Sequence, residues 1–512
     1  MNSQCPNFAE HLLGSGRPED VALIDASRRH TYAELRAATS WQECHLRAWD
    51  LEPGSRVALV APNSLYWVAS YLAIMRSGHT AVPLAPVLTA EDIVAKMAHV
   101  GCGGLMVDER LARRLPAVLE RAQTVQTSAS LRDRTGDDGA PALTPAQPPA
   151  ETAVLVFTSG TTSRPRAVRV GHDNLAANTA SIVTYLGLAR DDRMLVVLPF
   201  SYCFGASLLH THLAVGASLR LCETQAFPET IVEGIADDEC TGFAGVPSSY
   251  QLLLRASSFE SRRLATLRHL QQAGGRLPGA QIERVADAQP HARMFVMYGQ
   301  TEATSRIAYL PPDRLADKLG SVGVAVPGMT IRVAGEDGSS VAAGEVGEIR
   351  VSGAGVTHGY WAEPEATAEK YVGDELRTGD FGRLDEDGFL YVVDRRDDFI
   401  KSWGYRVSSH EVEDAALELP EVAAAAAVGR PDPEAGEAVV LFVAVRPDTL
   451  LGPDGVQRHL RERLAKHLVP QEVRVLDQLP LNQNGKVVKA ALRQLVRDEA
   501  GARGRHRGAG GV

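Results

Sequence analysis

A multi-domain α/β fold is predicted for this 512-residue chain from its length, from a strand–helix alternation that runs twice through its first two thirds, and from a switch to Gly-punctuated strands beyond about residue 330. The length exceeds what one hydrophobic core ordinarily serves. With 45% hydrophobic and 23% charged residues the composition is that of a globular protein. The expected architecture is a large N-terminal domain of parallel α/β sheets plus a β-rich subdomain, followed by a small α+β C-terminal domain.

The elements follow in order. Residues 56–61 (RVALVA) read as a buried strand, 65–78 as a helix, 80–84 as a strand, 90–100 as a helix and 103–107 as a third strand. This order implies a parallel sheet with helical crossovers. The polar, Pro- and Ala-rich stretch 125–150 reads as a loop or linker. A second alternating series has strands near 153–158, 194–198, 217–222, 241–245, 267–273 and 293–297. GEVGEIRVSG (344–353) typifies the strand-rich part. The last block has helices near 410–419, 456–468 and 487–496 and strands at 422–428 and 438–445. The tail from 501 to 512 is expected to be disordered.

A net charge of -10 without a large basic block argues against nucleic acid and anionic membranes as partners. The longest apolar stretch, near 64–77, is too short to span a bilayer, so stable membrane insertion is not expected. Six cysteines are sparse, with no Cys-x-x-Cys pair, as in a reduced compartment without structural zinc. No leader pattern opens the chain. The reading is a soluble cytoplasmic protein.

The most specific local signal is FTSGTTSRPRAV (157–168), which follows the apolar strand AVLVF. Thr158, Ser159, Thr161 and Thr162 offer hydroxyl donors, Gly160 permits close backbone approach, and Arg166 adds charge, so the loop suits an anion. It is not a GxxxxGK[ST] loop.

This segment resembles the phosphate loop of the adenylate-forming superfamily of acyl-CoA synthetases, peptide-synthetase adenylation domains and luciferases. It departs from that pattern at Ser163, Arg166 and Ala167, where the family has Gly, Lys and Gly. Three further strings occur in the family's order: YGQTE (298–302), RTGD (377–380) with DRRDDFIKSWGYRVSSHEVE (394–413), and LPLNQNGKVVKAAL (479–492). GHDNL (171–175), LPFSYCFG (198–205), GVPSSY (245–250) and AGGRLP (273–278) also fit, as does TYAEL near residue 31. The resemblance covers nearly the whole chain.

It implies that domain 1–394 binds ATP and the acid, and that a mobile domain, 395–500, carries the adenylation lysine. Tyr298 is expected to pack on adenine, Thr301 to bond a phosphate oxygen and Glu302 to hold Mg²⁺. Asp380 is expected to accept from the ribose, and Arg395 to contact the nucleotide. Asp397 corresponds to the hinge, and Lys401 and Gly404 reach the site in alternate poses. Lys486 is the adenylation lysine, stabilising charge where a carboxylate attacks the α-phosphate. The acid is expected beside Phe200, Tyr202, Gly274 and Gly275. His172, His210 and His212, lacking paired partners, read as structural.

The implied activity is ATP-dependent ligation of an acid to a thiol through acyl-AMP. The thiol is coenzyme A, or the phosphopantetheine of a carrier protein acting in trans. The stretch 200–204 contains no acidic residue, which disfavours α-amino acids and suits a fatty or aryl acid. An unusual acid such as a small oxyanion stays open. So does, on the altered loop alone, a catalytically degenerate nucleotide-binding protein.

Overall fold

The computed structural model describes residues 7–132, 140–158, 166–222, 227–446, 449–482 and 486–507. The described residues form four sheets. A nine-stranded sheet runs, edge to edge, Val324–Ala325, Ala308–Leu310, Arg293–Tyr298, His269–Gln272, Gly242–Gly245, Arg193–Val196, Ser218–Leu221, Val21–Ile24 and Arg29–Thr31. Its central strands are parallel, as the repeated strand–helix order requires. A six-stranded sheet, also mostly parallel, runs Thr124–Thr127, Cys102–Val107, Arg56–Val60, Thr80–Leu84, Val154–Phe157 and Ala167–Val170.

The largest core cluster joins these two sheets through the helix Leu65–Arg76, in which Trp67, Tyr71 and nine neighbours are buried. That helix is apolar on every side, which is the pattern of an element enclosed by two layers. The helix Tyr32–Ala48 starts on a capping box. Glu34 N–H donates to Thr31 Oγ1 at 3.2 Å, and Thr31 N–H donates to the Glu34 carboxylate at 2.8 Å. TYAEL is thus a helix start. Gly16 is obligatory against it, because a Cβ there would lie 2.4 Å from the Tyr32 ring.

The β-rich part is an antiparallel sheet of Met329–Ala334, Gly347–Gly353, Glu375–Leu384, Tyr371–Val372 and Leu390–Arg395. It ends at Arg395, and the last sheet begins at Ile400. There Ile400–Ser402, Tyr405–Val407, Val422–Asp432, Gly436–Val445 and Glu472–Leu476 form a sheet with separate apolar clusters on its faces, one including Val412, Leu441 and Leu460, the other Phe442, Leu492 and Val496. The junction is held by Asp394, which is fully buried and accepts from the Ser409 N–H at 2.6 Å, the Ser409 hydroxyl at 2.7 Å and the Arg395 N–H at 2.8 Å.

Two expectations need correction, and one strand was not anticipated. Within the expected linker, Thr124–Thr127 is a strand paired with Cys102–Val107, and Ala129–Arg132 is helical. TVQT has no apolar alternation, and its order comes from the neighbouring strand and from the Tyr66 hydroxyl on Gln126. The N-terminal strand Val21–Ile24, paired with Ser218–Leu221, is a distant pairing that no local pattern announces. The last helix, Lys489–Arg507, continues into the expected disordered tail, whose residues 508–512 lie outside the described ones.

Replacing Asp394 by Ala would leave a charged and hydrogen-bonded cluster without its acceptor. We expect a loss of about 3 kcal/mol in the C-terminal domain. Calorimetry checks this as a lower first unfolding transition with the later one preserved.

Candidate active site

Four parallel strands end on one edge of the large sheet, and the chain leaves each of them into the same cleft. Pro199–Tyr202 come after Arg193–Val196, Val246 and Pro247 after Gly242–Gly245, Gly274 and Gly275 after His269–Gln272, while Tyr298 closes Arg293–Tyr298. The carboxyl edge of a parallel sheet is where such folds bind ligands. Gly274 has φ +86, and a Cβ there would stand 3.2 Å from the Tyr202 hydroxyl and 3.7 Å from Cε of Lys486. Gly274, Tyr202 and Lys486 therefore converge, although they come from three distant parts of the chain. The Lys486 ammonium lies 5.6 Å from the centre of the Tyr202 ring.

A buried carboxylate, Asp380, and a part-buried one, Glu302, organise the charges. Asp380, on Glu375–Leu384, accepts from the Tyr298 hydroxyl at 2.5 Å and faces Arg395 Nε at 3.2 Å. Burial and then the Asp380 charge hold the Tyr298 phenol far above its usual range. Glu302 accepts from the Tyr360 hydroxyl at 2.8 Å, while Thr357 ties the Glu302 carbonyl through its N–H and hydroxyl. Thr301 donates to the Cys203 sulfur at 3.5 Å. Burial, aided by the positive charge of Arg395, lowers the Lys486 ammonium to about 8, against the opposing pull of Cys203, Asp380 and Glu302. A hairpin presents this lysine: Lys486 N–H donates to Asn482 Oδ1 at 3.0 Å and Asn482 N–H to the Lys486 carbonyl at 2.8 Å.

The sequence-predicted residues distribute as follows. Tyr298, Thr301, Glu302, Asp380, Arg395 and Lys486 share this centre, with Tyr202 and Gly274 beside Lys486. Phe200 is buried against Trp67, ring centres 5.3 Å apart, and lines a pocket with Tyr202, Cys203 and Ser207. Gly275 sits next to Pro247. Thr158 and Arg166 close the neck of the phosphate loop, Thr158 N–H donating to the Arg166 carbonyl at 2.9 Å. Ser159, Gly160, Thr161 and Thr162 lie outside the described residues. The Arg166 side chain pairs with Glu363 at 3.2 Å and stacks over Tyr360. Asp397 is exposed in the turn between the third and fourth sheets, its carbonyl accepting from Arg493 at 2.8 Å. Gly404 (φ +79) is exposed at the tip of the 400–407 hairpin, with nothing within 4 Å of a Cβ placed on it, and Lys401 sits in the same hairpin. This pose thus delivers Lys486 to the cleft and keeps Gly404 in open surroundings.

The three histidines are buried members of the core. His210 meets the Tyr71 hydroxyl at 3.0 Å and burial lowers it to about 3. His172 accepts from the Phe8 N–H and is lowered by burial to about 4. His212 bonds the Leu208 carbonyl.

Sequence reasoning missed four participants. Tyr360 holds Glu302. Lys370 is lowered by burial, faces Glu302 and Asp380, and donates to the Thr378 carbonyl at 2.6 Å. Arg276, in the glycine loop, forms an ion pair with Asp414 of the C-terminal domain, pinning the two domains together. Arg306 is buried behind Tyr202 and Cys203. Tyr360 and Lys370 belong to no quoted string, Arg276 stands in AGGRLP (273–278) with no sign of its partner, and Arg306 breaks the apolar run SRIAYL.

Among the described residues no cluster of three or more His, Cys, Asp or Glu could hold a metal ion, and no helix is long and apolar enough to cross a membrane. Residues 13–361 match the model of the AMP-binding enzyme family, and residues 411–486 that of the AMP-binding enzyme C-terminal domain. The chain is 31% identical to a feruloyl-CoA synthase of an Amycolatopsis species, over 93% of this chain and 96% of that one. It is 32% identical to the 2-succinylbenzoate–CoA ligase of Geobacillus kaustophilus, over 94% and 96%. The ATP-bound crystal structure of MatB from Rhodopseudomonas palustris superposes with a TM-score of 0.88 at 28% identity, covering 97% of this chain and 99% of that one.

The Lys486 environment makes a prediction independent of turnover. In protein whose lysines carry ¹³C-methyl groups, one resonance, absent from Lys486→Ala, should titrate with a midpoint near pH 8, well below exposed lysines. A midpoint above pH 10 would mean that the ammonium is not buried in this cleft in solution.

Proposed function

The chain belongs to the AMP-binding enzyme family, and from that membership we propose how its cleft carries out an ATP-dependent acid–thiol ligation. The protein activates an acid as acyl-AMP with release of pyrophosphate, then transfers the acyl group to coenzyme A with release of AMP. The observation that carries the assignment of roles is the placement of Lys486 among Tyr202, Gly274 and Arg395, between the acid pocket and the Asp380 and Glu302 carboxylates.

In this reading ATP lies with its ribose at Asp380 and its adenine against Tyr298. The Tyr298 hydroxyl and Arg395 fix the Asp380 carboxylate, so its oxygens are oriented before the nucleotide arrives. The triphosphate spans from Thr301 to the 157–168 loop. Glu302, a single carboxylate immobilised by Tyr360, is the donor that would hold Mg²⁺. One protein carboxylate with phosphate oxygens completing the shell is the usual arrangement for that ion, whose charge would neutralise the phosphates. Arg166 must leave Glu363 to reach them. The acid enters beside Phe200 and Tyr202. As its carboxylate approaches the α-phosphate two anions meet, and the protonated Lys486 bridges them where charge develops. No side-chain nucleophile is required.

Thiolysis needs a different arrangement. Rotation about the Asp397 turn would withdraw Lys486, break Arg276–Asp414, and bring the side-chain-free Gly404 to the cleft for a pantetheine arm. The named relatives are CoA ligases, which supports coenzyme A over a carrier protein as acceptor. Their printed substrates, feruloyl and 2-succinylbenzoate, support an acid with an apolar or aromatic body, in keeping with the Phe200 and Tyr202 walls.

Three outcomes test this. Acid-dependent exchange of labelled pyrophosphate into ATP should appear with one acid class, and added coenzyme A should yield a thioester. Exchange without any thioester would move the acceptor to a carrier protein. Lys486→Ala should reduce exchange by about 10²-fold or more, the scale for losing one transition-state charge contact, yet leave thioester formation from supplied acyl-AMP largely intact. In free-enzyme kcat/KM the lysine acts as its conjugate acid. Exchange should therefore be full well below pH 8 and fall as pH rises through about 8.

A further inference from the structure

Arg306 is 1% exposed, and among the described residues no carboxylate lies within ion-pairing distance of it. Its contacts are neutral and long: Nη2 to Ser207 Oγ at 3.3 Å and Gln271 Oε1 at 3.5 Å, and Nη1 to Met297 sulfur at 3.5 Å. The guanidinium carbon stands 4.1 Å from the Phe204 ring centre. Nε of Arg306 has no partner, nor do Nε2 of Gln271 and Oγ of Ser305 beside it in space or sequence. Buried guanidinium groups are ordinarily paired, because removing the charge from water costs far more than neutral acceptors and a ring face return.

The backbone goes out of its way to put this cation here. Gly299 lets the Ser305–Arg306 segment fold back on the YGQTE strand end, since a Cβ on Gly299 would stand 1.7 Å from the Ser305 carbonyl oxygen. Asn178 then fixes the Arg306 carbonyl at 3.1 Å. The helix Cys203–Ala214 links Arg306 to the reaction centre. Tyr202 at its start lies under Lys486, and Ser207, touching Arg306, is about one and a half turns along, roughly 7 Å at 1.5 Å per residue. Tyr202, Cys203, Ser207 and Ser305 line the acid pocket, so its wall touches Lys486 through Tyr202 and Arg306 through Ser207.

We propose that the acid is a dicarboxylate, adenylated at one end beside Lys486 and held at the other by Arg306 with Gln271 and Ser207. This rests on the ligase reading above and specifies its substrate. That rise along the helix, roughly 7 Å from Tyr202 to Ser207, suits a spacer of a few carbons or one aromatic ring. A distal carboxylate would accept from Arg306 Nε and Gln271 Nε2, the two donors now without partners. Bound there, it supplies the missing counter-charge, and an acid ending in a methyl group leaves that charge uncompensated.

The test is pyrophosphate exchange with matched acids: hexanoate, adipate and monomethyl adipate; heptanoate and pimelate; 4-methylbenzoate and terephthalate. We expect at least one diacid to exceed its monoacid partner by about 100-fold or more in kcat/KM, with the monoester behaving as a monoacid. Arg306→Met should invert the preference, lowering the diacid about 100-fold and the monoacid less or not at all, and Arg306→Lys should recover part of the diacid rate. Preference for the monoacid in every wild-type pair overturns the inference while leaving the ligase reading intact, and needs no variant. Equal loss on both acids in a folded, ATP-binding Arg306→Met also overturns it, making Arg306 a core cation only. No exchange with any acid overturns both readings.

Discussion

The arrangement of charges in the cleft turns on one lysine ammonium, Lys486, set among buried and part-buried groups. Burial works against the charge of Lys486 and so does the neighbouring Arg395, while the Asp380 and Glu302 carboxylates work for it. The ammonium is therefore poised near neutrality. Because Lys486 belongs to the small domain and the carboxylates to the large one, the charges are compatible only when the domains are docked. Asp394 at the junction and the Arg276–Asp414 pair are the structural counterparts of that requirement.

The large domain contributes rigidity. Four parallel strands end at the cleft, and side chains that leave the ends of packed strands have little freedom to drift. The carboxylates are in turn restrained by phenols, Tyr298 on Asp380 and Tyr360 on Glu302, each buried enough that its proton stays on the hydroxyl at neutral pH. Oriented acceptors of this kind are the form of electrostatic preorganisation that costs nothing at the moment of reaction. The contrast between Arg166 and Arg306 is instructive. Arg166 stands near the surface and has found Glu363, so it is neutralised until a stronger anion appears. Arg306 is buried behind the pocket wall, and its hydrogen bonds reach only neutral groups among the described residues.

Much of the fold was legible because strand and helix periodicities are local. The helix of residues 65–76 and the strands at 56–60, 80–84 and 193–196 appear where the apolar pattern places them. The strand at 124–127 did not, since it is ordered by an edge it joins and by Tyr66. Within the site, the legible residues were those embedded in contiguous strings: YGQTE, RTGD, the 394–413 segment and the string around Lys486. Tyr360, Lys370 and Arg276 act through partners far along the chain, and a single residue type without its partner carries no signal.

The amino-acid sequence by itself determined the class of protein, the order of its domains and the identity of the charged residues offered to a nucleotide, because these are written in local pattern and short strings. Only the tertiary structure decided which of those charges are paired. It put Lys486 rather than Gly404 at the cleft, turned Arg166 toward Glu363, and left Arg306 buried with no carboxylate among the described residues at ion-pairing distance. Pairing is a property of distance and burial in three dimensions, and neither quantity can be read from separation along a chain.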